Sequence, residues 1–178
     1  MNAWKQLRAI LLLPGIVTAV IPAAILYCTG IGWLPSPGDI ILPVMGSILI
    51  FLGLALIAWT NRLFITVGKG SLAPWNPTKR LVVRGVYRHV RNPMILGVLC
   101  IRLGEAAFFC SVPLFGWFAV FCLLNIIYIP MLEEPGLIKR FGQDYLLYKR
   151  NVPRWIPRLR PWNGLSEDSA EANSYRAD

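Results

Sequence analysis

The chain has 178 residues, 56% of them hydrophobic and only 15% charged. A soluble domain carries about 45–50% apolar and about 25% charged residues, so long apolar blocks in this proportion describe one compact polytopic membrane protein. The net charge of +9 comes from Lys and Arg between and after those blocks, which favours loops held near anionic lipid over nucleic-acid binding.

The first apolar block runs from Ala9 to Cys28, after Lys5 and Arg8. It exceeds the apolar region of about 7–15 residues in a signal peptide, so it reads as a retained span, kinked at Pro14 and Pro22. The loop from Thr29 to Asp39 has no Lys or Arg, and the second block follows from Ile40 to Thr60. The next loop, Asn61 to Asn92, holds Arg62, Lys69, Lys79, Arg80, Arg84, Arg88 and Arg91. Gly68-Lys69-Gly70-Ser71 lacks the phosphate-loop spacing, and no G-x-G-x-x-G follows a strand, so neither nucleotide fold is expected. Leu81-Val82-Val83 is β-prone, Gly85 permits a turn, and Pro93 suits the first position of a helix because its missing N–H is not needed there.

The third block, Pro93 to Cys110, is marginal in length and carries Arg102 and Glu105, spaced i, i+3 and able to pair inside the span. A tight turn at Ser111-Val112 leads into the fourth block, Pro113 to Leu132, where Asn125 is an expected interhelical hydrogen-bond partner. That block ends on Glu133-Glu134, with Pro135 expected to stop the helix. Carboxylates at a helix C-terminus oppose its dipole, so two in succession point to function; the bland alternative is an interfacial pair neutralised by Lys139 and Arg140. Leu137 to Arg150 has the apolar spacing of an interfacial amphipathic helix, and Val152 to Pro157 is expected to be extended. After Gly164 the chain is small, polar and acidic, as in a disordered tail.

The expected architecture is an all-α integral membrane protein of four transmembrane helices, with a cytoplasmic-side loop and an interfacial C-terminal helix. Residues 1–60 form an N-terminal hairpin, 61–160 a core and 161–178 the tail. The positive-inside rule puts both termini and the long basic loop in the cytoplasm, as for a bacterial inner-membrane protein. The single histidine, His89, excludes a His-based metal cluster. Cys28, Cys100, Cys110 and Cys122 lie in apolar stretches without a C-x-x-C pair and read as packing residues.

Taken in order, Gly85-Val86-Tyr87, Arg91-Asn92-Pro93-Met94-Ile95-Leu96-Gly97, Glu133-Glu134, Phe141-Gly142-Gln143-Asp144-Tyr145 with Tyr148, and Val152-Pro153 with Pro157 resemble the isoprenylcysteine carboxyl methyltransferases and the related phospholipid methyltransferases. Ala73-Pro74-Trp75-Asn76-Pro77 is similar to bacterial members. The resemblance implies S-adenosylmethionine (SAM) as methyl donor and a lipophilic acceptor entering from the bilayer. It implies that Lys79, Arg80, Leu81 and Val82 give backbone contacts to the donor. Tyr87, Arg91, Asn92, Pro93, Met94, Ile95 and Gly97 would complete that site. Glu133 or Glu134 would face the donor or the nucleophile. Asn92 stands in place of the family's His and Ile95 in place of its Tyr. Asn151 occupies the position of an Arg that holds the carboxylate in prenylcysteine enzymes, and Arg150 and Arg154 flank it as substitutes. Methyl transfer to O, N or S is open at this point. A membrane reductase of the sterol-reductase type, using NADPH, and a non-catalytic binding protein are the alternatives.

Overall fold

The computed structural model describes residues 16–30, 40–68 and 80–164. Lys79 and the Ala73–Pro77 motif lie outside these residues, as do most of the first predicted span and the tail after Gly164. The described residues are helical without strands. A π-turn over Ile16–Val20 leads into α1, Ile21–Thr29. Then come α2 (Ile41–Thr66), a 3₁₀ turn (Gly85–Arg88), α3 (Pro93–Phe108) and α4 (Val112–Tyr128). A second π-turn, Ile129–Glu133, joins α4 to α5, Glu134–Asn151. The β-prone Leu81-Val82-Val83 is coil, with no strand among the described residues to pair with.

Two helices are long and apolar enough to cross a membrane, Ile41–Thr66 and the combined run Val112–Asn151. α3, with 16 residues, is about 24 Å long and falls short of a 30 Å hydrocarbon core. The apolar faces of α2 and α4 are turned outward: Phe51 is 72% exposed and Leu123 58%. In water so much exposed apolar surface would be untenable, whereas lipid solvates it.

The chain divides into two compact units, one of residues 1–59 with 94–127 and one of residues 60–93 with 128–178. In the first, α2 meets α3 through paired glycines. A Cβ on Gly46 would lie 2.6 Å from the Gly104 carbonyl oxygen, and one on Gly53 would lie 2.5 Å from that of Gly97. Both helices space their glycines seven residues apart, so the backbones approach closely along one face, and dispersion replaces the hydrophobic effect that lipid cannot supply. On α3, Arg102 Nη2 pairs with Glu105 Oε2 at 3.0 Å, as the i, i+3 spacing predicts, with the Arg102 side chain 1% exposed. Asn125 does not reach another helix; its Nδ2 donates to the Phe121 carbonyl one turn back, satisfying the amide locally.

In the second unit Tyr145, Tyr148 and Val152 form the core, packed by Leu81, Val83, Leu137, Ile138, Phe141 and Trp162. Here two sequence expectations fail. Pro135 does not stop the helix. Pro130 forces the preceding turn open to π geometry, so the Glu134 N–H bonds to the Ile129 carbonyl, and Pro135 enters in the first turn of α5 where no N–H is required. The glutamates therefore lie within a helical run and carry no C-terminal dipole penalty. Nor is Leu137 to Arg150 one straight amphipathic helix: Gly142, at φ 54° and ψ −129°, breaks it. Only glycine adopts this backbone cheaply.

Candidate active site

Charge, burial and hydrogen bonds converge on Glu134, whose side chain is 2% exposed. Arg91 Nη1 donates to its Oε1 at 2.9 Å. Arg154 reaches the same oxygen with Nε at 2.8 Å and Nη2 at 2.7 Å. Lys149 Nζ lies 2.7 Å from Oε2. Burial alone pushes the Glu134 carboxyl up, but hydrogen bonds and charge from Lys149, Arg91 and Arg154 outweigh it and hold the group below its ordinary range. Glu134 is thus a fixed anion.

The geometry depends on the break at Gly142. In a straight helix Glu134 and Lys149 would be about 22 Å apart. The observed contact requires the chain to turn back, and Gly142 is where it does so. The turn also sets Tyr145 beside Arg91, whose Nη1 donates to the tyrosine oxygen at 3.4 Å.

Arg154 is placed by the segment after α5. Val152 leaves the helix in an extended conformation, and Arg91 N–H then donates to the Pro153 carbonyl. Arg158 N–H bonds to the His89 carbonyl and Trp162 N–H to that of Arg88, each at 3.0 Å. Arg88 Nε returns a bond to the Trp162 carbonyl, and His89 Nδ1 donates to the Arg158 carbonyl at 2.8 Å. The extended expectation for residues 152–157 holds at Val152, whereas residues 154–156 form bends, and the hydrogen bonds strap the segment to the loop carrying Arg91.

Gly85, at φ 57°, turns the loop so that Tyr87 points inward. The Tyr148 hydroxyl donates to the Tyr87 carbonyl at 2.7 Å, and the Tyr87 ring packs on Phe64 at 5.5 Å. Burial, then Tyr148 and Glu133, push the Tyr87 phenol well above its usual value. Tyr87 and Tyr145 both feel the charge of Glu133. No cation or hydrogen-bond donor among the described residues reaches Glu133. Burial, and then the neighbouring Glu134 charge, raise its carboxyl above the ordinary range.

The residues singled out in the sequence divide accordingly. Glu133, Glu134, Tyr87, Arg91 and Arg154 come together. Arg80, Leu81 and Val82 lie in the same unit, with Val82 buried and Leu81 packed on the tyrosine core. Asn92 and Pro93 close the loop, whereas Met94, Ile95 and Gly97 belong to the other unit, where Gly97 packs on α2. Arg150 is exposed and takes no part in the Glu134 cluster, and the Asn151 side chain caps its own helix on the Leu147 carbonyl. Lys139 and Arg140 are exposed, so the cations that neutralise Glu134 are not its sequence neighbours. Lys149 and the strap from His89 to Trp162 were not singled out. Spacing gave no signal for Lys149 because the reversal at Gly142 brings it into place.

A family profile described as phospholipid methyltransferase matches residues 71–144. "Methanethiol S-methyltransferase 2" of Bradyrhizobium diazoefficiens is 36% identical over 77 residues, 42% of this chain and 27% of the relative. "Methanethiol S-methyltransferase" of Pseudomonas deceptionensis is 36% identical over 78 residues, 42% and 28% of the two chains. "Phosphatidylethanolamine N-methyltransferase" of Zygosaccharomyces rouxii is 29% identical over 107 residues, 56% of this chain and 12% of that one. The matches thus span about a quarter or less of these relatives. No solved structure matches significantly. Residues 71–144 are thus similar to membrane methyltransferases. The family they match is that of the phospholipid methyltransferases, one of the two that the ordered motifs from Gly85 to Pro157 resemble.

Proposed function

We propose that the protein is an integral membrane methyltransferase that uses SAM and acts on a lipophilic acceptor at the cytoplasmic face. The observation that carries this reading is the pairing of a saturated carboxylate, Glu134, with an unpaired one, Glu133, inside the family-matched unit. The donor is a zwitterion bearing a sulfonium. Glu133 suits its cationic part, and the three cations around Glu134, two more than that carboxylate neutralises, suit its carboxylate. SAM supplies an electrophilic methyl group. The protein's work is alignment and exclusion of water, for which the buried Tyr87, Tyr145 and Tyr148 walls are adapted.

Four membrane spans with cytoplasmic termini remain the topology we propose, with the paired glycines of α2 and α3 holding the shorter third helix. Calorimetry of the full chain in nanodiscs against SAM and NADPH tests the reading. SAM binding, with methyl transfer from labelled SAM to membrane lipid or a small thiol, supports it. Binding of NADPH without SAM overturns it in favour of the reductase.

A further inference from the structure

We infer that the strap, residues 153–162, is a docking surface for an anionic bilayer leaflet, with Ile156 and Leu159 seated among the lipids and the neighbouring arginines on lipid phosphates. Ile156 is 79% exposed and Leu159 98%. Arg158 lies between them, and Arg160 follows, exposed, as is Arg150 at the end of α5. Residues 152–164 include no Asp or Glu. The segment is nonetheless fastened. Arg158 N–H and Trp162 N–H bond to the loop at His89 and Arg88, Arg88 Nε returns to the Trp162 carbonyl, and Arg158 Nη1 donates to the Asn151 carbonyl at 2.8 Å. A backbone held this way keeps two large aliphatic side chains in water, which is unfavourable until an apolar phase covers them.

Position selects the occupant. Arg154 Nε donates to Glu134 Oε1 at 2.8 Å, and Glu134 follows Leu132 by two residues. Met131 and Leu132, 68% and 65% exposed, end the apolar part of the run that begins at Val112. The strap therefore sits beside the point where that run changes from apolar to charged sequence, the level at which a membrane helix meets the headgroups. Aliphatic residues interleaved with arginines match that layer, with phosphate for the guanidinium groups and acyl chains beneath for Ile156 and Leu159. An acidic protein would satisfy the arginines and leave the aliphatic pair wet. This contact is with the bilayer surface, independent of any lipid that is a substrate and of the methyltransferase reading.

The test is hydrogen exchange of the full chain in phosphatidylcholine nanodiscs with and without phosphatidylglycerol, read on peptides covering residues 153–164. Phosphatidylglycerol should slow exchange there by about tenfold, and added salt should shrink the difference. Ile156→Ser with Leu159→Ser should abolish the slowing, and Arg160→Glu should cut it to about threefold. Both variants should keep the wild-type Tm in detergent, since the altered side chains are exposed. Equal exchange with and without phosphatidylglycerol overturns the proposal, as does slowing that survives the double serine variant. Slowing by polyglutamate as large as that by phosphatidylglycerol overturns it in favour of an acidic protein partner. Protection already present in detergent and lost on deleting residues 165–178 overturns it by making the acidic end of the chain the occupant.

Discussion

The molecule buries charge in two ways. Arg102 and Glu105 sit one turn apart on α3, one cation to one anion. Arg102 Nε and Nη1 have no hydrogen-bond partner among the described residues. Glu134 instead collects donors from three segments, separated from it by 43, 15 and 20 residues. The first pair is a local neutralisation that one helix achieves alone. The second is a junction that ties a loop, a reversed helix and a strap to one carboxylate. Buried ion pairs of the first kind are weak stabilisers; those of the second hold a geometry.

Substitutions can break that contrast. Glu134→Gln leaves three cations around a neutral group and should cost about 3–5 kcal/mol, seen as a large fall in Tm, with loss of methyl transfer. Gly142→Ala meets no neighbour within 4 Å, so its cost of about 1–3 kcal/mol comes from the backbone alone. It should also reduce activity by drawing Lys149 and Tyr145 away from Glu134, which a crosslink between residues 134 and 149 would report. On α3, Arg102→Met with Glu105→Leu should be neutral or stabilising by about 1 kcal/mol, while Arg102→Met alone destabilises. If the double variant is as damaging as Glu134→Gln, the two clusters are not different in kind. Tyr148→Phe removes one hydrogen bond to the Tyr87 carbonyl and should cost about 1 kcal/mol in denaturation.

The pH dependence sharpens the same point. The Glu134 carboxyl is held below its ordinary value of 4.5. Its contribution is therefore present above about pH 4.5 and lost as pH falls through the lowered folded value. The Tm difference between wild type and Glu134→Gln should be constant from pH 6 to 8 and shrink in acid. A gap that widens in acid would show that the three cations do not set the charge of this group.

Much of this was legible from local chemistry. Arg102 and Glu105 are one helical turn apart and needed no tertiary information. Glu133-Glu134 and the Arg91 loop stood out as charges that a plain anchor does not require. What could not be read were effects of chain direction. Pro135 looks like a terminator until the π-turn upstream removes the demand for its N–H. Gly142 looks like one helix residue among others until its positive φ turns Lys149 back onto Glu134. Asn125 had two ways to satisfy its amide, and only packing decides for its own helix.

The strap has a consequence for the order in which the protein is made. Arg154 reaches Glu134 from a segment fastened by Arg158 and Trp162 to the loop at Arg88 and His89. During synthesis from the N-terminus, every helix of the described residues emerges before that fastening is possible. The cluster is finished only when Arg154 to Trp162 have left the ribosome. A chain ended before Arg154 therefore lacks both one of the three cations around Glu134 and the strap that holds it.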